Sequence, residues 1–409
     1  MTAGTARQNS AAATKSDMPV GAPSVADLVS RAVKISAHIE ATASEAERNR
    51  RMPDEIVDMI ASAGIYQMLV PKRYGGFEMK ISDMAQVMKA LSPLDTSTGW
   101  ITAFYIGHNW MWCLLPEEAQ QEIFANGPSA LGPVMVAPSV SATPVDGGFR
   151  VSGRAKWGTG SSHAQWCMVS GIVKSGTLGP PDIRMFAMPW SEARVEDTWH
   201  TSGMAATASH DVLFDAVFVP AHRVLDITAT RSGKAPGTQL HANTLYATPF
   251  TPFLCFIAAA PLVAVARGIT VHAIERAKAF VSSYSGRTSI DNPALQIRLA
   301  KADMISRAAE TLLDDLVRDL EQHAQNAPVD VEDRVLMRAK ASYIASLCRE
   351  VVTLLAQGSG ASAHMIDSPI QRAFRDINMA SCHVVFDQDP TMELRGKMLV
   401  GTPPAIILA

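Results

Sequence analysis

The stretch best equipped for chemistry is Gly153-Arg-Ala-Lys-Trp157-Gly-Thr159-Gly160-Ser161-Ser-His163. Two glycines flank a threonine, and two further hydroxyls and a histidine follow. Small residues let a planar ligand approach the backbone closely, and a hydroxyl beside exposed N–H groups can hydrogen-bond the polar edge of a ring. The same residues also suit a plain strand-ending turn, with Trp157 filling the core. A second candidate is His108, in Ile106-Gly-His-Asn-Trp110 on a strongly apolar segment, where an isolated imidazole is commonly a hydrogen-bonded core residue. The five cysteines, at 113, 167, 255, 348 and 382, contain no Cys-x-x-Cys pair. That pattern predicts reduced thiols in a cytoplasm, with no disulfide framework and no metal site. No dinucleotide-binding Gly-x-Gly-x-x-Gly occurs, so no nicotinamide site is expected.

The elements that must position these residues fall into zones. The chain has 409 residues, 47% apolar and 18% charged, which supplies a large core and excludes global disorder. A net charge of −3 argues against a nucleic-acid binder. The longest apolar run, residues 253–266, is 14 long, short of the roughly 20 that span a bilayer, so no membrane segment is expected. Residues 1–22, rich in Ala, Ser, Thr and Gly, read as a disordered tail. Residues 23–130 carry helical periodicity, with Ser24 as a cap, Pro53 in a first turn and Gly64 as a stop. Residues 131–235 read as an antiparallel barrel or sandwich, with Asp146-Gly147 as a hairpin turn. Residues 236–409 hold four long helical patterns, at 253–283, 294–323, 331–357 and 369–386, which predict a four-helix bundle kinked or restarted at Pro261.

Helices, a central antiparallel β domain and a C-terminal four-helix bundle form the layout of the acyl-CoA dehydrogenase fold. The residues narrow the resemblance. Gly153-Arg154, Trp157, Thr159-Gly160 and His163 resemble the flavin-binding segment of two-component flavin-dependent monooxygenases built on that fold. That group contains the oxygenase component of 4-hydroxyphenylacetate 3-hydroxylase and dibenzothiophene monooxygenase. The resemblance implies Thr159 at flavin N5 and Trp157 near the isoalloxazine, with Gly160 and Ser161 beside them. Gly203-x-x-x-Thr207-x-Ser209 resembles a second flavin-contacting segment, though these hydroxyls would equally satisfy a turn. Arg287 resembles the arginine that meets the flavin phosphates, a task its forked guanidinium suits, while an exposed loop arginine would look the same. Gly358-Ser359-Gly360 resembles the bundle turn bordering the cofactor, and helix-stop glycines share that pattern. Arg372-x-x-Arg375-Asp376, followed seven residues later by His383, resembles the family's C-terminal catalytic stretch.

The resemblance implies an oxygenase component that uses reduced FMN or FAD, delivered by a separate NAD(P)H-dependent flavin reductase, and O2. A C4a-hydroperoxyflavin would then pass one oxygen atom to a small aromatic or heteroaromatic substrate. His383 would act as base or hydrogen-bond donor, His108 would orient substrate, and Thr159 would support the N5–H side. A cytoplasmic homotetramer is implied as well. Where acyl-CoA dehydrogenases usually place a catalytic glutamate, this chain has Ser381-Cys-His-Val-Val-Phe386. An acyl-CoA dehydrogenase or related flavin oxidase is therefore the alternative reading, and a non-catalytic flavin-binding protein the third.

Overall fold

Ser24 starts the first helix: its hydroxyl accepts the Asp27 N–H while the Asp27 carboxylate accepts the Ser24 N–H. In the computed structural model, which describes residues 21–174, 179–279, 289–326 and 329–402, that cap begins helix α1 (Val25–Asn49). Its Leu28, Ala32, Ile35 and Ile39 lie on one buried stripe. Helices α2 (Asp54–Ser62), α3 (Ile81–Leu91), α4 (Thr96–Trp112) and α5 (Glu117–Ile123) complete the first helical region. All 17 residues of α4 are buried, so it is a central core rod. The buried Asp95 carboxylate caps it, accepting from Thr98 N at 2.7 Å.

Strands β1 (Val134–Val145), β2 (Gly148–Gly158), β3 (Trp166–Val173), β4 (Ile183–Pro189), β5 (Arg194–Glu196), β6 (His210–Pro220) and β7 (Val224–Asp226) form one sheet in the order β5-β6-β2-β1-β3-β4-β7. Asp146 and Gly147 turn the β1–β2 hairpin, and Val145 pairs directly with Gly148. Gly147 has φ +74°, which glycine adopts without a Cβ penalty. The sheet is not wholly antiparallel, because β1 and β3 run parallel. It keeps its own apolar core, with Val140, Val151, Val169, Phe186, Val212 and Val219 among the buried residues.

Short helices α6 (Ile227–Arg231) and α7 (Pro236–Leu240) lead into the long bundle helices α8 (Phe250–Ala279), α9 (Pro293–Gln325) and α10 (Val331–Gly358). Helix α8 runs unbroken through Pro261, where a kink or restart was expected. Among the described residues α8 is the one helix long and apolar enough to cross a membrane, and 78% of that apolar window is buried inside the protein. The fourth helix, expected over residues 369–386, stops early as α11 (Pro369–Ala380); a 3-10 turn at Val384–Phe386 follows, and a further helix, α12 (Gln388–Leu399), lies beyond it. Helix α11 ends where the Ser381 hydroxyl bonds back to the Asn378 carbonyl and the β-branched pair Val384-Val385 follows. His383 therefore sits on a loop in extended backbone rather than on a helix.

Candidate active site

Helix α4 positions the site. Trp100, Phe104 and His108 stand four residues apart, so their side chains share one face of the rod. Trp100 stacks on Phe104 at 4.6 Å, and the His108 ring meets Phe104 edge-on at 5.5 Å. His108 is only 2% exposed. Its Nδ1 lies 2.7 Å from the Gly132 carbonyl oxygen, which can only accept. Nδ1 must therefore carry the proton, and Nε2 is left with its lone pair. Burial pushes the His108 pKa down to about 4, so the ring is neutral near pH 7.

His383 approaches the same wall from the bundle. Its half-buried ring lies 5.5 Å from Trp100 and 6.2 Å from Phe104, edge-on to both. Here the backbone bond has the opposite sense: Val385 N–H donates to His383 Nδ1 at 3.4 Å. The neutral ring therefore carries its proton on Nε2. Burial again lowers the pKa to about 4. Arg338 Nη2 donates to the Val384 carbonyl and the Ser342 hydroxyl donates to the Phe386 carbonyl, which tie this loop to α10.

The next residue on α4, Tyr105, reaches the glycine-rich segment, its hydroxyl donating to the Gly160 carbonyl at 2.5 Å. At Gly160, with φ +76°, a Cβ would lie 2.5 Å from that hydroxyl oxygen, so only glycine fits. Gly160 N donates to the Thr207 carbonyl and the Ser161 hydroxyl to the Ala208 carbonyl, stitching residues 159–161 to residues 204–209. Thr159 Oγ1 lies 3.0 Å from Ser209 Oγ, which lies 2.8 Å from Thr207 Oγ1. Thr207 and Ser209 are buried and Thr159 is partly open, so the first two stand behind the third. Trp157, Met204 and Ala208 all have positive φ, a concentration of backbone strain of the kind found at ligand sites. The Trp157 ring does not fill the core; it is 63% exposed.

Gly358, Ser359 and Gly360 line a cavity of about 380 Å³ between the ends of α8 and α10 and the start of α9. Arg276, Arg298, Ser362 and Leu355 line it too. Arg276 donates to the Ser359 carbonyl and the Ser362 hydroxyl. Two guanidiniums beside a glycine turn suit a phosphate group. Arg287 lies outside the described residues. A glycine that tolerates no Cβ, a row of hydroxyls and a solvent-facing indole suit the edge of a planar heterocycle, and the basic cavity, which shares no lining residue with them, suits a phosphate.

Other residues singled out from sequence hold the scaffold. Arg154 binds Asp211 and Glu196 across neighbouring strands, and His163 binds Asp54 on α2. Trp110 and Trp112, further along α4, are fully buried and donate to the Leu245 and Ala130 carbonyls. Arg375 pairs with Glu47 and Arg372 approaches Asp95, which pins α11 to α1 and α4. Asp376 accepts from Met204 N at 2.6 Å, and burial, then the nearby Asp95 charge, raises its pKa to about 7. Glu118, Glu122 and His222 cluster where α5 meets the turn after β6, but Arg223 already pairs with Glu122, which makes an ion-pair seam. Trp100, Tyr105, Arg276 and Arg298 were missed in the sequence. Trp100 was within reach, since it repeats the four-residue spacing of Phe104 and His108.

Comparison with known proteins matches the acyl-CoA dehydrogenase N-terminal domain to residues 27–124 and the acyl-CoA dehydrogenase C-terminal domain to residues 256–388. A pigment production hydroxylase from Rhodococcus sp. is 35% identical over 88% of this chain and 93% of its own. The oxygenase component of an FADH2-dependent resorcinol hydroxylase from Rhizobium sp. is 29% identical over 92% of this chain and 95% of its own. XiaF from Streptomyces sp., solved with FADH2 and glycerol, superposes with a TM-score of 0.87 at 28% identity, covering 93% of this chain and 97% of that one.

Proposed function

The chain belongs to the acyl-CoA dehydrogenase family, among its two-component flavin-dependent monooxygenases, and on that premise we propose how its own residues divide the work. It is the oxygenase component: it inserts one atom of O2 into an aromatic substrate and draws reduced flavin from a separate reductase. The observation that carries the proposed division is the pair of neutral histidines of opposite tautomer on one aromatic wall.

When bound, reduced flavin supplies the two electrons that split O2 into one atom placed on the ring and one released as water. The protein does the rest. Trp100 and Phe104 form a dry surface against which an aromatic substrate packs. His108 Nε2, with its lone pair free, accepts a hydrogen bond from the hydroxyl of a phenolic substrate and takes its proton only as oxygen transfer makes that hydroxyl strongly acidic. His383 Nε2–H offers a hydrogen bond to the oxygen side of the reacting atoms. Thr159 would hold the flavin at its N5 edge, Gly160 would allow close approach and Trp157 would lie against the ring, with Ser161, Thr207 and Ser209 bracing Thr159 from behind. Gly358, Ser359 and Gly360, with Arg276 and Arg298, would hold the phosphate end of the cofactor. On that assignment Arg276→Ala weakens reduced-flavin affinity by about 10- to 150-fold, the value of one charge-assisted hydrogen bond, as read by anaerobic titration.

The dehydrogenase alternative is disfavoured by the loop itself. Residues 381–386 contain no carboxylate, and Glu393, further along, is exposed on α12 and paired with Lys397. A homotetramer is supported by the exposed apolar side chains Ile297, Met304 and Tyr343 on α9 and α10, and a cytoplasmic setting by the five free cysteines. The test supplies NADH, an unrelated flavin reductase, O2 and a panel of phenols, and reads product mass. A gain of one oxygen atom with a phenol supports the proposal. Turnover only with non-phenolic substrates would remove the proton-accepting role from His108.

A further inference from the structure

We propose that the hydroxyl chain Thr159–Ser209–Thr207 selects the redox state of the flavin by drawing the Thr159 proton inward, so that toward the flavin its oxygen can only accept. This rests on the placement of Thr159 at flavin N5 proposed above.

Each hydroxyl has one proton, so the direction of the chain follows from its fixed end. Thr207 Oγ1 lies 2.8 Å from the Met204 carbonyl oxygen, which has no proton to give, so Thr207 donates there. With its proton committed, Thr207 can meet Ser209 Oγ at 2.8 Å only by accepting, so Ser209 donates to Thr207. The Ser209 proton is then spent, and its 3.0 Å contact with Thr159 requires Thr159 to donate inward. Thr159 Oγ1 is left with lone pairs alone on its outward side.

The chain has little freedom to reverse. Thr207 and Ser209 are buried, which removes water as an alternative partner. The Met204 carbonyl also accepts the Thr207 N–H and the Trp199 indole N–H, which fixes its place at 2.8 Å from Thr207 Oγ1, and with no proton of its own it can only accept there. On the other side of the same residue the Met204 N–H is held by Asp376. The Gly160 N–H and Ser161 hydroxyl bonds to residues 207 and 208 fix the oxygen-to-oxygen distances.

Flavin N5 changes character with oxidation state. Reduced flavin carries N5–H, a donor, which pairs with the Thr159 lone pair. Oxidised flavin carries a bare N5 lone pair, which would face another lone pair. The geometry therefore makes Thr159 an acceptor for the reduced form and a poor neighbour for the oxidised form. Ser209 and Thr207 are positioning residues in this account, because they act through Thr159.

The experiment measures dissociation constants of oxidised and of anaerobically reduced FMN and FAD, with thermal midpoints as a check on folding. In Ser209→Ala the Thr159 proton is freed to turn outward and donate to oxidised N5. In Thr207→Val the Ser209 proton is freed to point at Thr159, with the same result. Both variants should lower the oxidised-to-reduced ratio of dissociation constants by about three- to tenfold, mainly through tighter oxidised binding. Thr207→Ser should keep the wild-type ratio. An unchanged ratio in both Ser209→Ala and Thr207→Val, while Thr159→Val changes it, would overturn the chain and leave Thr159 at N5. No change in either affinity for Thr159→Val would overturn the N5 placement itself, and the inference with it. Equal loss of both affinities in Ser209→Ala would mark the hydroxyls as scaffold and overturn the inference.

Discussion

His108 and His383 touch the same Phe104 ring and are both neutral near pH 7, yet they present opposite faces of imidazole chemistry. The difference lies in the backbone each one meets. On the fully buried helix α4, His108 finds the carbonyl of Gly132, keeps its proton on Nδ1 and leaves Nε2 as an acceptor. On the loop that ends α11, His383 meets the amide of Val385 and keeps its proton on Nε2. One residue type thus becomes an acceptor on a helix and a donor on a loop. Neither needs a charged neighbour, and lowering both pKa values by burial keeps the pair from becoming two imidazolium ions facing one wall.

The largest effect that would break this comparison is expected at the acceptor. His108→Asn keeps a side-chain N–H for the Gly132 carbonyl but offers no basic nitrogen. Product formation from a phenol should fall by roughly 10² to 10⁴, the usual contribution of a positioned base, while reduced-flavin affinity and thermal midpoint stay near wild type. Single-turnover product yield at fixed reduced flavin measures this. A matching collapse of flavin affinity would mean that His108 is part of the cofactor floor.

At the donor the loss should be smaller and reparable. His383→Ala should divert turnover to H2O2, with the product-to-peroxide ratio falling by about 10- to 100-fold for a lost donor in a closed site. In His383→Gln the amide N–H takes the place of Nε2–H and should recover most of that ratio. Glutamine at 108 should rescue nothing, because an amide is no base. Rescue at both positions, or at neither, would erase the distinction between them.

How much of this was legible in the sequence differs between the two regions. The capped and periodic elements could be read directly, as with Ser24, the Asp146-Gly147 hairpin and the helices of the bundle, because local chemistry decides them. The candidate residues were also legible as types, through the Thr159-Gly160 turn and the spacing from Asp376 to His383. The tautomers were not, because each depends on one backbone group, 24 residues away for His108 and two away for His383. The break after α11 was missed because residues 369–386 continue a helical pattern, and only the return bond of Ser381 and the Val384-Val385 pair end it. The scaffold roles of Arg372, Arg375 and Asp376 were hidden for a similar reason: their partners Glu47, Asp95 and Met204 are remote in sequence.

The smallest predicted effect concerns pH. With both imidazoles lowered to about 4, the product-to-peroxide ratio of Asp376→Asn should stay flat from about pH 5.5 to 8, and an inflection near 6.5 in that variant would show that one of them charges in the working range. Stability should follow the same groups. A histidine titrating near 6.5 when unfolded and near 4 when folded contributes fully above 6.5, and that contribution is lost as pH falls toward 4. Asp376, raised from 3.8 to about 7, works the other way, contributing fully below 3.8 and losing it as pH rises to about 7. Asp376→Asn should therefore steepen the fall of the thermal midpoint between pH 6.5 and 5.

The most direct test of the division of labour reads the two tautomers themselves. Protein carrying 15N-labelled histidine, compared with His108→Asn and His383→Gln to assign the signals, reports in its nitrogen shifts which ring nitrogen holds the proton. At pH 7 His108 should be the Nδ1–H tautomer and His383 the Nε2–H tautomer, both neutral. The same tautomer at both positions, or an imidazolium at either, would contradict that division.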